Sequence, residues 1–549
     1  MGIVASNAPF IAIGFHLCTM LKKWLIICSP ILILLIIGFW PLADPEIKID
    51  FDKDAIGRKQ EFLAGLKLDT SKQRPNILLI LADDLGKTDI SLYGDPPIQT
   101  PNIDAIGLNG VTFNEGYITS PICAPSRAGL MTGRYQQRFG FEYQPHDRYP
   151  KNLIELLVYK NFIATGDWRV ADQYRFPEFE DIIKNGMPPS ELMLSELLNA
   201  VGYATGIVGK WHLGAGDHAL PINRGFEYQY GFYEAYSLYM ADTSDPTVVN
   251  QRHSDFSDPF IWGKGRSGNC AIRRNHDVIE EEYYLTDRIA EEANAFLDLH
   301  QEEPFFLYVP FLAPHTPFQA TKTYYDKLDH IEDRNKRVYN AMIWQLDDAV
   351  GSILTKLNEL GLEENTLVIF MSDNGGATYT YATDNAPLKG GKFTNFEGGL
   401  NVPFMMNWKG KLDSGQVCNA PVMATDIFAT VASMINVSEF PKEIDGRDLF
   451  TTMITPNIDR NLFWRSGYNK AIRSRNWKLV RDELSDLTVL YDLGTDKNER
   501  TDLSEQYPDT VQRLLELHKE WELGTVNPAW PRVMDFTFHA DDGDFKFPL

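Results

Sequence analysis

Four short apolar runs recur along the middle of the chain, and each one ends in polar or ionisable residues. The runs are Ile77–Leu81, Ala204–Val208, Phe305–Val309 and Leu367–Phe370, followed respectively by Asp83-Asp84, Lys210-Trp211-His212, Pro314-His315 and Asp373-Asn374. Continuous apolar runs of this length are typical of strands that are buried on both faces. The pattern therefore predicts buried strands whose ends carry these polar residues.

Helical patterns lie between the predicted strands. They cover Leu192–Ala200, Tyr283–Leu299 and Arg337–Leu360. Strands that alternate with helices predict an α/β fold. In open α/β sheets the ligand site lies outside the carboxyl ends of the strands, so we expect the four polar clusters to meet there.

After Asp448 the pattern changes to a compact α+β tail. Lys470–Val480 and Thr488–Leu493 are predicted strands joined by a charged turn, and Gln506–Leu523 is a predicted helix. The polar stretch before Pro75 is predicted to be a stalk with a short helix near Gln60–Leu66. The predicted units are an N-terminal segment (1–43), a linker (44–74), a main domain (75–448) and a smaller C-terminal subdomain (449–549).

The N-terminal segment carries an apolar run from Trp24 to Leu42, preceded by Lys22 and Lys23 and followed by acidic residues. This order of charges predicts export of everything downstream. The run matches the roughly 20 residues that span a bilayer and exceeds the roughly 7–15 of a signal-peptide core. An uncleaved membrane anchor is therefore favoured over a cleaved signal, with the main domain in the periplasm or at the cell surface.

Charge and cysteine content narrow the function further. The formal net charge of the 549 residues is −23, so no binding to nucleic acid is expected. Of the five cysteines, Cys18 and Cys28 lie in the N-terminal apolar region. Cys270 and Cys418 are candidate disulfide partners, and their spacing does not decide whether they pair.

Asp83-Asp84 and Asp373-Asn374 place several hard oxygen donors at two predicted strand ends. Such donors suit Ca²⁺ or, less readily, Mg²⁺ with its stricter octahedron. A single pair of adjacent acids in a turn is usually solvated or caps a helix. Because both clusters are expected at one edge of the sheet, a divalent cation site is the stronger interpretation.

The segment Cys123-Ala124-Pro125-Ser126-Arg127 suits the start of a helix, because proline is tolerated in the first turn. The free amides there attract anions. A buried structural cysteine is the alternative interpretation. The Cys-x-Pro-Ser-Arg core resembles the signature of type I sulfatases, in the alkaline-phosphatase-like superfamily. In that family a maturation enzyme oxidises the cysteine to formylglycine, whose hydrated aldehyde supplies a nucleophilic oxygen.

Further motifs carry the same resemblance from about Pro75 to Leu523. They are Gly209-Lys210-Trp211-His212-Leu213-Gly214, Asn223-Arg224-Gly225-Phe226-Glu227, Ala313-Pro314-His315-Thr316-Pro317 and Leu388-Lys389-Gly390-Gly391-Lys392. The resemblance implies a large mixed central sheet sandwiched by helices, with a smaller C-terminal α+β domain.

The resemblance also implies roles for individual residues. The implied catalytic set is Cys123, Arg127, Lys210, His212, His315 and Lys392, and the implied cation ligands are Asp83, Asp84, Cys123, Asp373 and Asn374. Lys210 and Lys392 are expected to bind the sulfate. His212 is expected to take a proton from the remaining hydroxyl of the hydrate, and His315 to bind the sulfate and donate a proton toward the leaving oxygen.

Two insertions, Phe141–Lys184 and Asn250–His276, distinguish the chain from simpler members of the family. The first is rich in aromatic residues, which suit sugar rings, so a bacterial sulfatase acting on sulfated oligosaccharides or polysaccharides is favoured. One alternative is a phosphonate or phosphate diester hydrolase of the same fold. Another is an anchored glycan-binding relative without turnover, whose expected marker is loss of the cysteine, a metal carboxylate or His212. All of those residues are present.

Overall fold

The computed structural model describes residues 9–66, 74–145, 149–171, 175–252, 257–455 and 459–549. Parts of several predicted units lie outside the described residues. They are the first eight residues of the N-terminal segment, the end of the linker (67–73), pieces of the two insertions (146–148, 172–174 and 253–256), and residues 456–458 of the C-terminal subdomain.

The strands form one large sheet and several small ones. In chain order the strands are β1 (Asn76–Asp83), β2 (Val111–Phe113), β3 (Gly116–Tyr117), β4 (Trp168–Val170), β5 (Ala204–Lys210), β6 (Tyr228–Phe232), β7 (Val248–Gln251), β8 (Arg273–Arg274), β9 (Asp277–Val278), β10 (Phe305–Pro314), β11 (Phe318–Thr321), β12 (Thr366–Ser372), β13 (Phe404–Asn407), β14 (Gln416–Cys418), β15 (Val422–Met423), β16 (Asn461–Ser466), β17 (Asn469–Ser474), β18 (Trp477–Asp482), β19 (Leu487–Asp492), β20 (Met534–Ala540) and β21 (Gly543–Pro548).

The helices cover both faces of the large sheet and the C-terminal region. They are α1 (Pro9–Gly38), α2 (Lys53–Gly65), α3 (Pro101–Leu108), α4 (Cys123–Thr132), α5 (Leu153–Val158), α6 (Phe179–Ile182), α7 (Leu194–Ala200), α8 (Asp258–Lys264), α9 (Leu285–Leu299), α10 (Lys322–Tyr325), α11 (Arg334–Glu359), α12 (Glu397–Leu400), α13 (Thr425–Met434), α14 (Leu449–Ile454) and α15 (Pro508–Glu522).

The large sheet has ten strands in the order β14-β2-β13-β12-β1-β10-β5-β6-β8-β9. Its five consecutive strands from β12 to β6 run parallel, and the β12–β13, β13–β2, β6–β8 and β8–β9 pairs are antiparallel. All four strands predicted from the apolar runs are present as β1, β5, β10 and β12, and they lie side by side. The expected mixed sheet is confirmed.

Side chains alternate between the two faces of β1. Ile77 and Leu79 pack in one apolar core with α4, α7 and α13, whereas Leu78 and Ile80 pack in another with α3, α9 and α11. Burying each such side chain contributes about 1.5–3 kcal/mol. The sheet is therefore sandwiched by helices, as expected, and α7, α9 and α11 correspond to the three predicted helices.

The C-terminal tail forms the antiparallel sheet β16-β17-β18-β19, against which α15 packs. The prediction of one strand over Lys470–Val480 is wrong, because the chain reverses between β17 and β18 at Arg475, whose φ is 55°. The β20–β21 hairpin pairs with β4 and so joins the first insertion to the C-terminus. The boundaries of the predicted units stay predictions.

The segment before β1 is not a free stalk, since α2 packs on the main domain. Its buried Lys59 lies with Nζ 2.6 Å from Glu196 Oε1 at the start of α7. Most of the predicted apolar run lies in α1. Among the described residues, no helix is both long and apolar enough to cross a bilayer. Cys418 is a free thiol, so it is not bonded to Cys270.

Candidate active site

Four neighbouring strands deliver polar side chains to one edge of the large sheet. Asp83 ends β1 and Lys210 ends β5, while Asp373 directly follows β12 and His315 directly follows β10. Because these strands are parallel, their carboxyl ends lie together. The structure thus brings the four predicted polar clusters into one buried site.

Cys123 is the first residue of α4, whose ten residues are all buried. Pro125 stands in the first turn of this helix, where its missing N–H leaves no hydrogen bond unmade. The Cys123 sulfur lies 3.6 Å from Asp83 Oδ1 and 3.9 Å from Asp84 Oδ1. The helix start therefore points the cysteine at the carboxylates that end β1.

Three buried carboxylates face three buried cations around Cys123. Lys210 Nζ lies 2.5 Å from Asp83 Oδ2, Lys392 Nζ lies 2.8 Å from Asp84 Oδ1, and Arg127 Nε lies 2.9 Å from Asp373 Oδ2. Arg127 also donates to the Lys210 carbonyl over 2.8 Å. Breaking such buried pairs is costly because it leaves an uncompensated charge.

The donor atoms fit a hard divalent cation. Asp83, Asp84, Cys123 and His315 each offer one ligand atom, and these atoms lie within 4.8 Å of one another. Asn374 donates from Nδ2 to Asp84 Oδ1, whereas its buried Oδ1 has no hydrogen-bond partner among the described residues. An oxygen-rich set of this kind suits Ca²⁺ or Mg²⁺.

Asp373 and His315 sit differently from what the resemblance implies. Asp373, an expected cation ligand, is engaged through Oδ2 by Arg127 and through Oδ1 by the Asp84 amide at 3.3 Å. His315, expected at the substrate, has Nε2 only 3.7 Å from Asp84 Oδ2. His315 therefore borders the group of cation donors.

The environment of His315 fixes its tautomer. Nδ1 lies 2.5 Å from the Thr316 carbonyl oxygen, so Nδ1 carries the hydrogen and Nε2 faces the site. Burial, together with Lys392 and Lys210, lowers the pKa of His315 well below its usual range. His315 can donate from Nε2 only when the ring is protonated.

Burial also acts on Cys123 and Lys392. It raises the pKa of the Cys123 thiol, although Lys210 and Lys392 favour the thiolate. An unmodified thiol held protonated is a weak nucleophile. For Lys392, burial opposes the charge, but contact with Asp84 outweighs it and raises the pKa well above its usual range. Lys392 is thus a fixed positive charge beside Cys123.

Two residues of the site have positive φ angles. Asp84, directly after β1, has φ 63°, and His212, two residues after β5, has φ 58°. Both side chains are buried. Such conformations cost about 1–3 kcal/mol in a residue other than glycine and cluster at functional sites. The backbone therefore aims these two side chains at the expense of local stability.

Sequence reasoning missed two residues that position the site. Asn385 accepts from the Gly376 amide through Oδ1 and donates from Nδ2 to the carbonyls of Gly376 and Gly390, over 2.9–3.1 Å. It thereby ties the loop after β12 to the loop that carries Lys392. Tyr239 donates from its hydroxyl to the His315 carbonyl over 2.8 Å. No sequence motif marks either residue, since Asn385 joins two irregular loops and Tyr239 acts on a residue 76 positions away.

An aromatic cluster adjoins Lys392 on the side of the first insertion. Trp168 in β4 lies edge-on to Tyr379 and Phe393, with ring centroids 5.4 Å apart in each case. Phe536 of β20 completes the cluster. The insertion and the C-terminal hairpin therefore meet next to the residue that follows Lys392.

A second group of charges lies behind the site, and we call it the C-terminal hub. It consists of the acids Glu115, Glu397 and Glu499, the bases Lys87, Arg473 and Lys478, and the phenol of Tyr117. Lys478 Nζ lies 2.8 Å from Glu397 and 2.9 Å from Glu499. Glu397 also accepts from Tyr117 at 2.8 Å and from Asn401 at 3.0 Å.

The hub supports α12, which is packed against the loops of the site. The Gly375 amide donates to the Gly399 carbonyl over 3.1 Å, and a Cβ added at Gly375 would lie 1.7 Å from the Gly398 oxygen. The Gly398 amide in turn donates to Lys389, three residues before Lys392. The C-terminal sheet thus braces the loops that bear Asp373 and Lys392.

Comparison with known proteins identifies the family. The family described as Sulfatase matches residues 75–437. N-acetylgalactosamine-6-sulfatase of Mus musculus is 29% identical over 510 residues, covering 85% of this chain and 90% of that protein. Steryl-sulfatase of Homo sapiens is 30% identical over 436 residues, covering 68% and 69%. The solved structure of Ps i-CgsB in complex with k-i-k-neocarrahexaose has a TM-score of 0.70 at 29% identity, covering 83% of this chain and 95% of that one.

Proposed function

This chain belongs to the sulfatase family and is a sulfuric ester hydrolase, and we propose that it releases sulfate from a sulfated carbohydrate. One observation carries the proposal. Cys123 contacts Asp83 and Asp84, which pair with Lys210 and Lys392, at the carboxyl ends of neighbouring parallel strands. This arrangement can hold a divalent cation and an anionic ester side by side.

Residue 123 supplies the nucleophile in this proposal, after conversion of Cys123 to formylglycine by a maturation enzyme. Its hydrated aldehyde offers an oxygen to the sulfur of the ester. The support is the resemblance of the surrounding motif and the raised pKa of the thiol, which disfavours thiolate chemistry. Asp83, Asp84, Cys123, Asp373 and Asn374 would hold Ca²⁺, or Mg²⁺, whose positive charge would neutralise a sulfate oxygen.

The chain's own groups handle charge and protons. Lys210 and Lys392 bind the sulfate, and Arg127 holds Asp373 and the Lys210 backbone in place. The negative charge of the bound sulfate ester would raise the low pKa of His315 and let its protonated ring donate to the leaving alcohol oxygen. His212 accepts a proton from the hydroxyl that remains on residue 123. After the ester is cleaved, loss of that proton allows sulfate to depart.

Intact-peptide mass spectrometry across residues 114–134 tests the nucleophile. Protein expressed with a formylglycine-generating enzyme should carry the aldehyde at residue 123 and be active, and protein expressed without it should carry cysteine and be inactive. Full activity in protein that retains the Cys123 thiol would overturn the proposal.

A carbohydrate substrate is favoured by two observations. The relatives include a sulfatase named for N-acetylgalactosamine and a structure bound to a neocarrahexaose. In this chain, the half-buried ring of Tyr379 lies near Lys392 and packs on buried Phe393, and aromatic rings suit sugar faces. A panel of sulfated galactose and N-acetylgalactosamine oligosaccharides, aryl sulfates and steryl sulfates tests this step. Turnover of the apolar esters alone would exclude a carbohydrate substrate.

A diester hydrolase is the second enzymatic candidate, since the fold also serves that chemistry. The family match favours the sulfate ester. Matched sulfate monoesters and phosphate diesters of one alcohol should show a preference of at least tenfold in kcat/KM for sulfate. The reverse preference would favour the diester hydrolase.

Export of the main domain stays part of the proposal. It is supported by the order of Lys22, Lys23 and the apolar run that follows them. Protease added to intact cells or spheroplasts should digest the main domain if it faces outward. Protection until the cells are lysed would place the domain inside and contradict export.

A further inference from the structure

Five large apolar side chains project into solvent from the first insertion, and we call them the apolar rim. They are Leu157 and Val158 of α5, Phe162 of the π-helical turn Tyr159–Ile163, Phe179 of α6, and Ile183 directly after α6. Phe162 and Phe179 are 78% and 69% exposed. Large apolar groups that are exposed together in one insertion are candidates for an interaction surface.

The chain that leaves α1 runs between the two parts of the rim. A Cβ added at Gly38 would lie 2.9 Å from the Ile154 side chain of α5. Beyond it, the Leu42 amide donates to the Lys151 carbonyl over 3.0 Å, and the Asp44 amide donates to the Phe176 carbonyl over 2.8 Å. The end of α1 therefore joins the main domain at the rim itself.

The rim turns its apolar face away from the protein. Phe179 and Ile183 are four residues apart and share one side of α6. Asp181, also on α6, is buried and accepts from the Ile49 amide at 3.2 Å. On α5, Val158 lies four residues beyond Ile154, on the side that meets α1.

The end of α1 that adjoins the rim has apolar side chains on all sides of the helix. Each residue of Ile31–Ile37 is exposed, and Phe39 and Trp40 follow with 61% and 64% exposure. Seven consecutive helical residues point all around the axis, since each turns by about 100°. A second copy or a peptide would cover one stripe of such a helix, whereas a lipid phase covers all of it.

We propose that the apolar rim inserts into the surface of a lipid bilayer and seats the main domain against it. The aromatic side chains of Phe39, Trp40, Phe162 and Phe179 then lie near the headgroups, where aromatic rings are favoured. This contact requires only that the rim enter the outer few ångströms of the lipid. It is independent of which sulfate ester the site cleaves.

Site-directed spin labelling of the full chain tests the proposal. Cys18 and Cys28 are replaced by serine, and a nitroxide is attached at Phe162→Cys or Phe179→Cys. Leu523→Cys is the control, because Leu523 is 84% exposed and directly follows α15, outside the rim. On vesicles of phosphatidylethanolamine and phosphatidylglycerol, collisions of the two rim labels with oxygen should rise severalfold and those with a water-soluble nickel chelate should fall severalfold. The control label should stay accessible to the chelate.

Two results would overturn the proposal. Rim labels as accessible to the nickel chelate as the label at position 523 would place the rim in water. Rim labels shielded from both reagents, with spin–spin coupling that grows with protein density, would show that a second copy covers the rim. Leu157→Cys and Ile183→Cys repeat the measurement if either phenylalanine variant fails to fold, and retained sulfate ester hydrolysis confirms folding.

Discussion

The candidate active site and the C-terminal hub are two clusters of largely buried charge built from the same numbers of acids and bases. Around Cys123, three aspartates face Arg127, Lys210 and Lys392, and in the hub three glutamates face Lys87, Arg473 and Lys478. Only the first cluster surrounds a cysteine and two histidines, and only there do strand ends converge. Buried charge alone therefore does not mark a catalytic site.

The two clusters also differ in what they connect. The active site gathers side chains from the ends of parallel strands within one domain, whereas the hub links α12 to β17, β18 and the segment bearing Glu499. Changes in the first cluster should act on turnover, and changes in the hub should act on stability. Each of the following experiments separates these effects.

The largest effect is expected from Cys123→Ala, which should fold normally and lose all measurable turnover, because the nucleophile is made from that side chain. Thermal unfolding and hydrolysis of an activated sulfate ester measure the two properties. Cys418→Ala is the matched control, since Cys418 is also buried and free but lies in β14. Substantial activity in purified Cys123→Ala would rule out the proposed nucleophile.

His212→Ala and His315→Ala should each lower turnover by about 10²–10⁴-fold, as expected for loss of proton transfer. His212→Ala should release one alcohol per enzyme and then stall, with sulfate retained on residue 123. His315→Ala should slow the first step, most strongly for poor leaving groups. Mass spectrometry after substrate exposure separates them, and the buried His518→Ala is the control. Retained sulfate in His315→Ala but not in His212→Ala would reverse the roles.

Chelation of divalent ions should lower turnover, and Ca²⁺ should restore it, because the bound ion is proposed to neutralise a sulfate oxygen. Asp373→Asn should weaken binding of the ion by about 10–100-fold. Asp445→Asn removes a carboxylate paired with Arg138 elsewhere and should leave ion affinity unchanged. Titration calorimetry measures the affinity, and active enzyme without any bound divalent ion contradicts the cation site.

Lys478→Met should lower the free energy of unfolding by about 3–5 kcal/mol, because it leaves Glu397 and Glu499 buried without their shared cation. The kcat of the folded fraction should change far less than in the active-site variants. Lys409→Met removes an exposed ion pair with Glu363 and should have little effect. Urea titrations measure the stabilities. A stable Lys478→Met protein with kcat reduced a thousandfold would make the hub part of the catalytic machinery.

The smallest effects are expected in the pH dependence of the hub. Burial lowers the pKa of Lys87 from 10.5 to about 7, against the influence of Glu397. Between pH 7 and 10.5, Lys87 is therefore protonated in the unfolded chain and neutral in the folded chain. The contribution of Lys87 to stability rises with pH over this range and is lost as pH falls through about 7. Burial raises the pKa of Glu499, so its contribution is present below 4.5 and is lost as pH rises through the raised value.

Unfolding free energies at several pH values test both directions. As pH rises above about 7, the unfolding free energy of the wild type should increase relative to that of Lys87→Met. As pH rises from about 5 to 7, the unfolding free energy of the wild type should decrease relative to that of Glu499→Gln. Differences that stay constant with pH would show that neither group titrates abnormally in the fold.

The sequence predicts the active site far better than it predicts the hub. Apolar runs locate β1, β5, β10 and β12, and polar residues at their ends locate the chemistry, because both signals are local. Hub partners such as Glu397 and Lys478 are separated by 81 residues and pair only after the two sheets have packed. The same reason hides Tyr239, which contacts His315 across 76 residues.

Local signals also fail where a turn lacks glycine and proline. Lys470–Val480 was predicted to be one strand, yet Arg475 takes a left-handed conformation and divides it into β17 and β18. The four residues Arg473–Asn476 are polar but include neither glycine nor proline, so the composition there does not clearly divide one strand into two. Only the pairing of the two strands shows the break.

The burial of α4 sets an order of events in the life of the protein. Cys123 is 1% exposed, and no residue of its helix reaches the surface. A second enzyme that modifies this side chain has to reach it, and the folded chain encloses it on all sides. The conversion proposed for residue 123 must therefore happen on the nascent or unfolded polypeptide. A molecule that folds with its thiol intact can no longer be modified at that residue.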